Sequence, residues 1–502
     1  MAGIASETLI WLSLLIPSVG AVLIWLTGKK DNLREMATFI TALSLLAIVI
    51  TLLIRVLDGE RPEFTLIQML PGLNISFSIE PLGMLFASIA AILWPINSLY
   101  SIGYMRGNHE KHQTRFYIFF AIAIAAVMGI AFASNLITLF IFYEVLTLST
   151  YPLVTHKGNA DAKRGGRIYL GILIATSIGL LLPAIIWTSI IAGTTEFASG
   201  GIIGDKLHGA MLGLMLFLYM YGIGKAALMP IHKWLPAAMV APTPVSGLLH
   251  AVAVVKAGVF SVVKIIVYVF GIDTLSSSDS AEWLLYVAGF TIIVASLIAL
   301  QQDNLKKRLA YSTISQLSYV ILGAAILAPI SAVGAALHIA AHAFGKITLF
   351  FAAGSIYTAA HKTEISQLDG IGRRMPWTMG AFTIGALSMI GIPPAAGFIS
   401  KWYMLLGAFN TEQFVAVGVI VLSTLLNAAY FVPIIYRAFF KPEISTHDTK
   451  SAEIDSSHSL ETNHGEAPWP IVVALSLTAS LTILLFFFHQ IPLELANQMV
   501  GR

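Results

Sequence analysis

The chain has 502 residues, 57% hydrophobic and only 11% charged, with a mean hydropathy of +0.82. A soluble domain carries roughly 25% charged residues, so this composition describes a polytopic membrane protein. The net charge of +3 is spread over loops, with no basic run suited to nucleic acid, and the absence of cysteine excludes disulfides, cysteine nucleophiles, thiolate-ligated haem and iron–sulfur clusters on this chain. No cofactor is expected.

Windows of about 20 apolar residues suffice for a helix to cross roughly 30 Å of hydrocarbon. Such windows start near Thr8, Leu33, Pro81, Arg115, Asn135, Arg167, Ala210, Pro244, Glu282, Leu309, Ile330, Trp377, Phe414 and Trp469. They predict an all-α membrane protein of about 14 transmembrane helices. The first window has no basic segment ahead of it and no small-residue cleavage site, so it reads as a retained span. Helices 1–3 occupy residues 1–114, helices 4–8 residues 115–270, helices 9–13 residues 282–440, and helix 14 residues 469–502. Residues 441–468 read as a polar cytoplasmic linker. Its His447, His458 and His464, with Asp448 and Asp455, have spacings that fit no closed metal-ligand set.

Lysine and arginine are distributed one-sidedly over the loops. One side holds Lys29, Lys30, Arg106, Lys111, Lys163, Arg164, Lys306, Lys307, Arg308, Arg373 and Arg374 among others, whereas the other holds Arg55, Arg61, Lys206 and Arg502. The bias places the basic loops in the cytoplasm and both termini outside a cell (inner) membrane.

An internal repeat is visible at an offset of 169 residues: Asn135-Leu136, Leu148 and Ser149 recur as Asn304-Leu305, Leu317 and Ser318. Glu144 in the first copy corresponds to Thr313 in the second. Pro230 interrupts the seventh span and Pro393-Pro394 the twelfth, each near a lysine. Paired broken helices in two halves of a transporter point to its ion path, because the freed backbone and nearby side chains can line a cavity.

Six ionisable residues stand in otherwise apolar spans: Glu144, Lys225, Lys256, Lys264, Lys346 and Lys401. Each costs about 2.5–3.5 kcal/mol at the bilayer centre, so they must face one another or water inside the protein. A Glu144–Lys225 pair would hold the ammonium charged, and loss of that partner would favour the neutral amine and release a proton. The neutral reading of Glu144 is a bond holding two helices together. Lys256 follows His250 by six residues in the eighth span. Lys264, nearer the span end, is expected to snorkel to the interface. His338, His342 and Lys346, four apart, form one polar stripe, for which histidines bonded to backbone carbonyls are the bland alternative. Lys401 either snorkels or terminates the series at the end opposite Glu144.

The run Pro230-Ile231-His232-Lys233-Trp234-Leu235-Pro236-Ala237-Ala238-Met239, continued by Ala241-Pro242-Thr243-Pro244-Val245-Ser246-Gly247-Leu248-Leu249-His250, resembles the signature of the antiporter-like subunits. These are the proton-pumping membrane subunits of respiratory complex I, the large subunits of Mrp-type sodium/proton antiporters and related hydrogenase subunits. Leu309-Ala310-Tyr311-Ser312-Thr313-Ile314-Ser315-Gln316-Leu317 and His342-Ala343-Phe344-Gly345-Lys346 are similar to two further motifs of the family. The resemblance, spanning about 81–437, implies fourteen helices with spans 4–8 and 9–13 as two inverted repeats. It implies that Glu144, Lys225, Lys256 and Lys401 are the ionisable residues of spans five, seven, eight and twelve, with His250 and His342 on the central axis; Lys346 falls within the eleventh-span motif.

Lys401 resembles the D-type branch of Mrp antiporter subunits and the complex I subunits ending in lysine, and no long lateral helix follows Phe488. The expected function is therefore a proton-translocating membrane subunit of a multisubunit sodium or potassium/proton antiporter. Its proton pathway comprises Glu144, Lys225, His250, Lys256, His338, His342, Lys346 and Lys401, and its partners are other integral membrane subunits and the lipid bilayer. The alternative is a pumping subunit of a redox-driven complex, of NADH:quinone oxidoreductase or membrane-bound hydrogenase type. A structural or quinone-binding scaffold is a third reading. No catalytic or metal site is expected on this chain.

Overall fold

The computed structural model describes residues 4–70, 73–443 and 465–501. Eleven helices among them are long and apolar enough to cross a membrane. In chain order the helices are α1 (Ser6–Leu26), α2 (Asp31–Leu57), α3 (Pro81–Gly107), α4 (Gln113–Ala131), α5 (Leu136–Val154), α6 (Ala160–Ala192), the shorter α7 (Gly209–Gly222) and α8 (Thr243–Phe270). They continue with α9 (Trp283–Gln301), α10 (Leu305–Ala325), α11 (Pro329–Ala360), α12a (Pro376–Ile390), α12b (Gly397–Asn410), α13 (Phe414–Phe440), α14 (Trp469–Phe487) and α15 (Gln490–Met499). Helix starts follow local chemistry. Proline opens α3, α11 and α12a, where its missing N–H costs nothing, and Asn135, Asn159 and Asn304 cap α5, α6 and α10 through side-chain oxygens.

The most apolar stretches of α8 and α11 are wholly buried, whereas α1, α2, α6, α13 and α14 turn most of theirs outward. In a bilayer, every backbone polar group must be satisfied internally, so only closed helical ladders tolerate the lipid-facing rim. Two of the helices depart from a regular ladder: α8 carries π-helical segments at Ser246–Ala253 and Ile266–Phe270, and α6 carries one at Ser177–Leu181, whose Ser177 and Leu181 are buried.

The expected interruptions are present at the seventh and twelfth spans. After α7 the chain forms a 3-10 turn (Gly224–Ala226), passes Pro230 and resumes briefly at Trp234–Ala237. Between α12a and α12b lie Gly391, with φ of +89°, and Pro393-Pro394. At the point where the chain resumes, a Cβ on Gly397 would fall 1.8 Å from Ser388 O, so only glycine fits.

The two asparagines 169 residues apart make matching contacts. Leu136 N donates to Thr195 O and Leu305 N to Thr363 O, each at 2.9 Å. Asn135 Nδ2 donates to Glu196 Oε1 at 3.3 Å, and Asn304 Nδ2 to Glu364 Oε1 at 2.9 Å. The same hook therefore fastens the start of α5 and the start of α10 to a later loop.

Two features differ from the sequence expectation. An antiparallel hairpin of β1 (Glu63–Leu70) and β2 (Leu73–Ser78) lies between α2 and α3. Strands this short are invisible to a 20-residue hydropathy window, and the hairpin is tied to α5 by Asn135 Nδ2 donating to Ser76 Oγ at 2.9 Å. The short α15 packs Leu495, Ala496 and Met499 into the interior. His447, His458 and His464 lie outside the described residues.

Candidate functional site

Lys225 occupies the break after α7, where the backbone leaves the helical ladder. It is fully buried, and its Nζ donates to Tyr143 O at 2.8 Å and Thr147 Oγ1 at 2.5 Å, 3.1 Å from the Tyr143 ring centroid. Its backbone N–H donates to Tyr143 Oη at 3.1 Å. Helix α8 closes on this break through Gly258, where a Cβ would lie 2.4 Å from the Lys225 carbonyl carbon. One turn of α5 thus supplies a carbonyl, a hydroxyl and a π face, all neutral, to one ammonium.

Glu144 is the next residue along α5. Both its carboxylate oxygens are buried and have no hydrogen-bond partner. Among the described residues no ion pair joins it to Lys225, although the two are near enough to interact electrostatically. The pair suggested by the sequence is open, and two of the three Lys225 Nζ donors go to Tyr143 O and Thr147 Oγ1 instead.

Lys264 does not snorkel. It is fully buried, donates to Ala133 O at 2.7 Å, lies 3.1 Å from Glu80 Oε2 and sits over Phe197. Glu80, just ahead of α3, meets the last turns of α8 here, and an available carboxylate removes the need to reach for water. This partnership escaped sequence reading because Glu80 sits at a helix start, where carboxylates are commonplace.

Around the buried middle of α11 a second constellation forms. Lys256 Nζ faces His342 Nδ1 at 2.5 Å, and the His342 and His338 rings stack with centroids 6.1 Å apart. His338 Nδ1 meets Ser400 Oγ at 2.8 Å, and its Nε2 meets Gln316 Oε1 at 3.0 Å. Gln316 Nε2 donates to Met389 O at 3.4 Å, and Lys401 Nζ donates to the same carbonyl at 3.0 Å and to Ile390 O at 2.9 Å. These two carbonyls are available because α12a ends at Ile390. Lys401 is buried over the Tyr319 ring, so it does not snorkel either.

Lys346 stands on a side branch. Its Nζ donates to Ser312 Oγ at 2.7 Å, the Tyr430 hydroxyl donates to Asn427 Oδ1 and lies 3.0 Å from Ser312 Oγ, and Gln316 Nε2 reaches Asn427 Oδ1 at 3.4 Å. Gln316 therefore joins both arms. Gln316 stands inside the Leu309–Leu317 motif and Ser400 directly precedes Lys401, but polarity alone did not mark either.

The structure thus brings Lys256, His342, His338, Lys346 and Lys401 into one hydrogen-bonded and stacked group, and places Glu144 and Lys225 in another. The backbone of His250 lies in the π segment of α8, and its side chain is outside the described residues. Among the described residues no cluster of three histidine or acidic side chains is arranged to hold a metal.

Residues 133–427, with this geometry, match the family described as NADH:quinone oxidoreductase/Mrp antiporter, transmembrane. The chain belongs to that family. Within the antiporter-like family, the N-type subunit of the NADH-quinone oxidoreductase of Desulforudis audaxviator is 32% identical over 386 residues, covering 76% of each chain. The D-type subunit of the Na(+)/H(+) antiporter of Alkalihalophilus pseudofirmus is 26% identical over 499 residues, covering 98% of this chain and 97% of the relative. A chain in the Mrp complex from Dietzia sp. DQ12-45-1b superposes with a TM-score of 0.84 at 20% identity, covering 99% of this chain and 97% of that one. A chain of the membrane-bound sulfane sulfur reductase, an archaeal respiratory membrane complex, gives 0.83 at 22% identity, covering 98% and 97%. At such identities the two structures establish the fold.

Proposed function

We propose that this chain is the proton-translocating membrane subunit of a multisubunit sodium or potassium/proton antiporter. The observation that carries the reading is the line of buried proton-exchanging groups: Glu144 and Lys225 in the first half, then Lys256, His342, His338 and Lys401, with Lys346 on a branch. Neutral oxygens hold each lysine except Lys256, which meets His342. No lysine in this line is locked by a carboxylate among the described residues, so each can change charge without breaking an ion pair. A proton moved across the full membrane field is worth about 2.3 kcal/mol per 100 mV, comparable with shifting a buried amine by one to two pKa units. We place His250 in the same line, between the two groups.

The match to a D-type antiporter subunit over nearly the whole of both chains supports the antiporter assignment over a scaffold. In this reading fourteen helical segments cross a cell (inner) membrane, both termini lie outside, and the basic loops are cytoplasmic. Helices 4–8 and 9–13 form two inverted repeats. The paired Asn135 and Asn304 hooks support that division, since five crossings between equivalent points place them on opposite sides. Other integral membrane subunits complete the assembly.

The 32% identity to an N-type quinone oxidoreductase subunit favours a second reading, in which the same residues serve a redox-driven pump. One experiment separates the two. The tagged protein is gently extracted and its partners are identified, and membranes carrying the complex are tested for collapse of an imposed pH gradient on adding sodium or potassium. Small hydrophobic partners and cation-dependent collapse are expected. Flavin, iron–sulfur or nickel partners, with no cation dependence, would assign the redox role.

A further inference from the structure

A cavity of about 270 Å³ opens where α3, α5 and α11 end and α8 and α10 begin. Lys157, Lys306, Lys307 and Lys362 line it, together with Tyr104 and Tyr357. Lys306 Nζ has one neutral acceptor, Ala241 O at 2.7 Å, and Lys157 Nζ lies 5.9 Å from the Tyr357 ring centroid. Among the described residues none of the four lysines forms an ion pair, whereas Arg106, Lys264, Arg374, Arg437 and Lys441 all do.

Nearby carboxylates do not neutralise the site. Glu364 accepts from Asn304 Nδ2 at 2.9 Å, and Asp303 accepts from Ser366 Oγ at 2.6 Å. Glu110 acts on Lys157 and Lys306, and Glu443 and Asp369 act on Lys362, only at a distance. Ammonium groups that converge on a half-enclosed volume repel more strongly than in bulk water, because the walls lower the local dielectric. Burial holds Lys362 below the usual lysine range, against the opposing pull of Glu443 and Asp369. Four lysines around one cavity suit an oxyanion with several acceptor oxygens, and the volume exceeds what a halide fills.

We propose that this cavity binds a phosphate-class anion: a phosphoryl group supplied by an anionic lipid headgroup or by free phosphate. The site stands on the cavity and its lysines alone, independently of the transport reading.

Site-resolved lysine acetylation, followed by mass spectrometry, tests it on the full chain with its retained subunits in phosphatidylcholine nanodiscs. Three conditions are compared: chloride alone, inorganic phosphate at matched ionic strength, and nanodiscs containing phosphatidylglycerol without phosphate. With ligand at ten times its Kd, modification of Lys306 and Lys362 slows about tenfold, while exposed Lys29 and Lys30 do not change. Protection by inorganic phosphate in phosphatidylcholine identifies a free anion, and protection only with phosphatidylglycerol identifies a lipid headgroup. In Lys306→Gln the protection of Lys157 and Lys362 should fall as well. Equal modification rates in all three conditions for the unmodified chain would overturn the proposal.

Discussion

The stretch that starts at Asn135 and the stretch that starts at Asn304 share local contacts and differ in chemistry. Each starts a helix at an asparagine hooked to a distant glutamate, and each breaks a later helix beside a buried lysine. Two carboxylates stand by the lysines of the first half: Glu80, from the segment ahead of α3, is closed on Lys264 at 3.1 Å, and Glu144 is open beside Lys225. The second half has Thr313 where the first has Glu144, and surrounds Lys401 with backbone carbonyls, a tyrosine ring and a glutamine-bridged histidine. A closed carboxylate anchors a helix. An open one biases the charge of a neighbouring lysine without locking it, and among the described residues no carboxylate plays that part for Lys346 or Lys401.

The contrast can be broken most forcefully at the closed pair. Lys264→Met strands the Glu80 carboxylate and is expected to cost about 3 kcal/mol of stability, read as a lowered thermal unfolding midpoint in detergent. Glu80→Gln in the same chain should restore most of it, because no charge is then left unpaired. The open carboxylate should behave differently. Glu144→Gln is expected to leave the unfolding midpoint nearly unchanged but slow proton flux about tenfold, equivalent to about 1.4 kcal/mol on the limiting barrier. Equal loss of stability in both variants would erase the distinction between anchor and bias. A smaller effect is expected in the second half. Gln316→Leu removes the acceptor for His338 Nε2 and the bridge to Met389 O, and should slow flux about threefold, or about 0.7 kcal/mol.

The ionisable residues themselves are legible in the sequence, since a lysine or glutamate inside 20 apolar residues has few explanations in a membrane. The helix breaks are legible for a similar reason: Pro230 and Pro393-Pro394 stand where an uninterrupted ladder would otherwise run. Partners are not legible, because they come from helices far away in the chain. Lys225 finds Thr147 at 78 residues' separation, and Lys256 finds His342 at 86. Lys264 shows the consequence: depth along its own helix suggests snorkelling, while a carboxylate from the start of α3 decides otherwise. The β1–β2 hairpin escapes for a different reason, being built from alternation over six to eight residues rather than from long apolar windows.

The central claim is that the two groups of buried residues act in series. Its most direct test is proton flux through proteoliposomes carrying the assembled complex, with Lys225→Met and Lys401→Met compared one at a time. Both substitutions keep an apolar side chain of similar length in the cavity, so assembly can be verified alongside transport. A series predicts that either substitution alone reduces flux at least about a hundredfold, or about 2.7 kcal/mol, and that the double variant loses no more. Near-normal flux in either single variant, with the complex intact, would contradict the account.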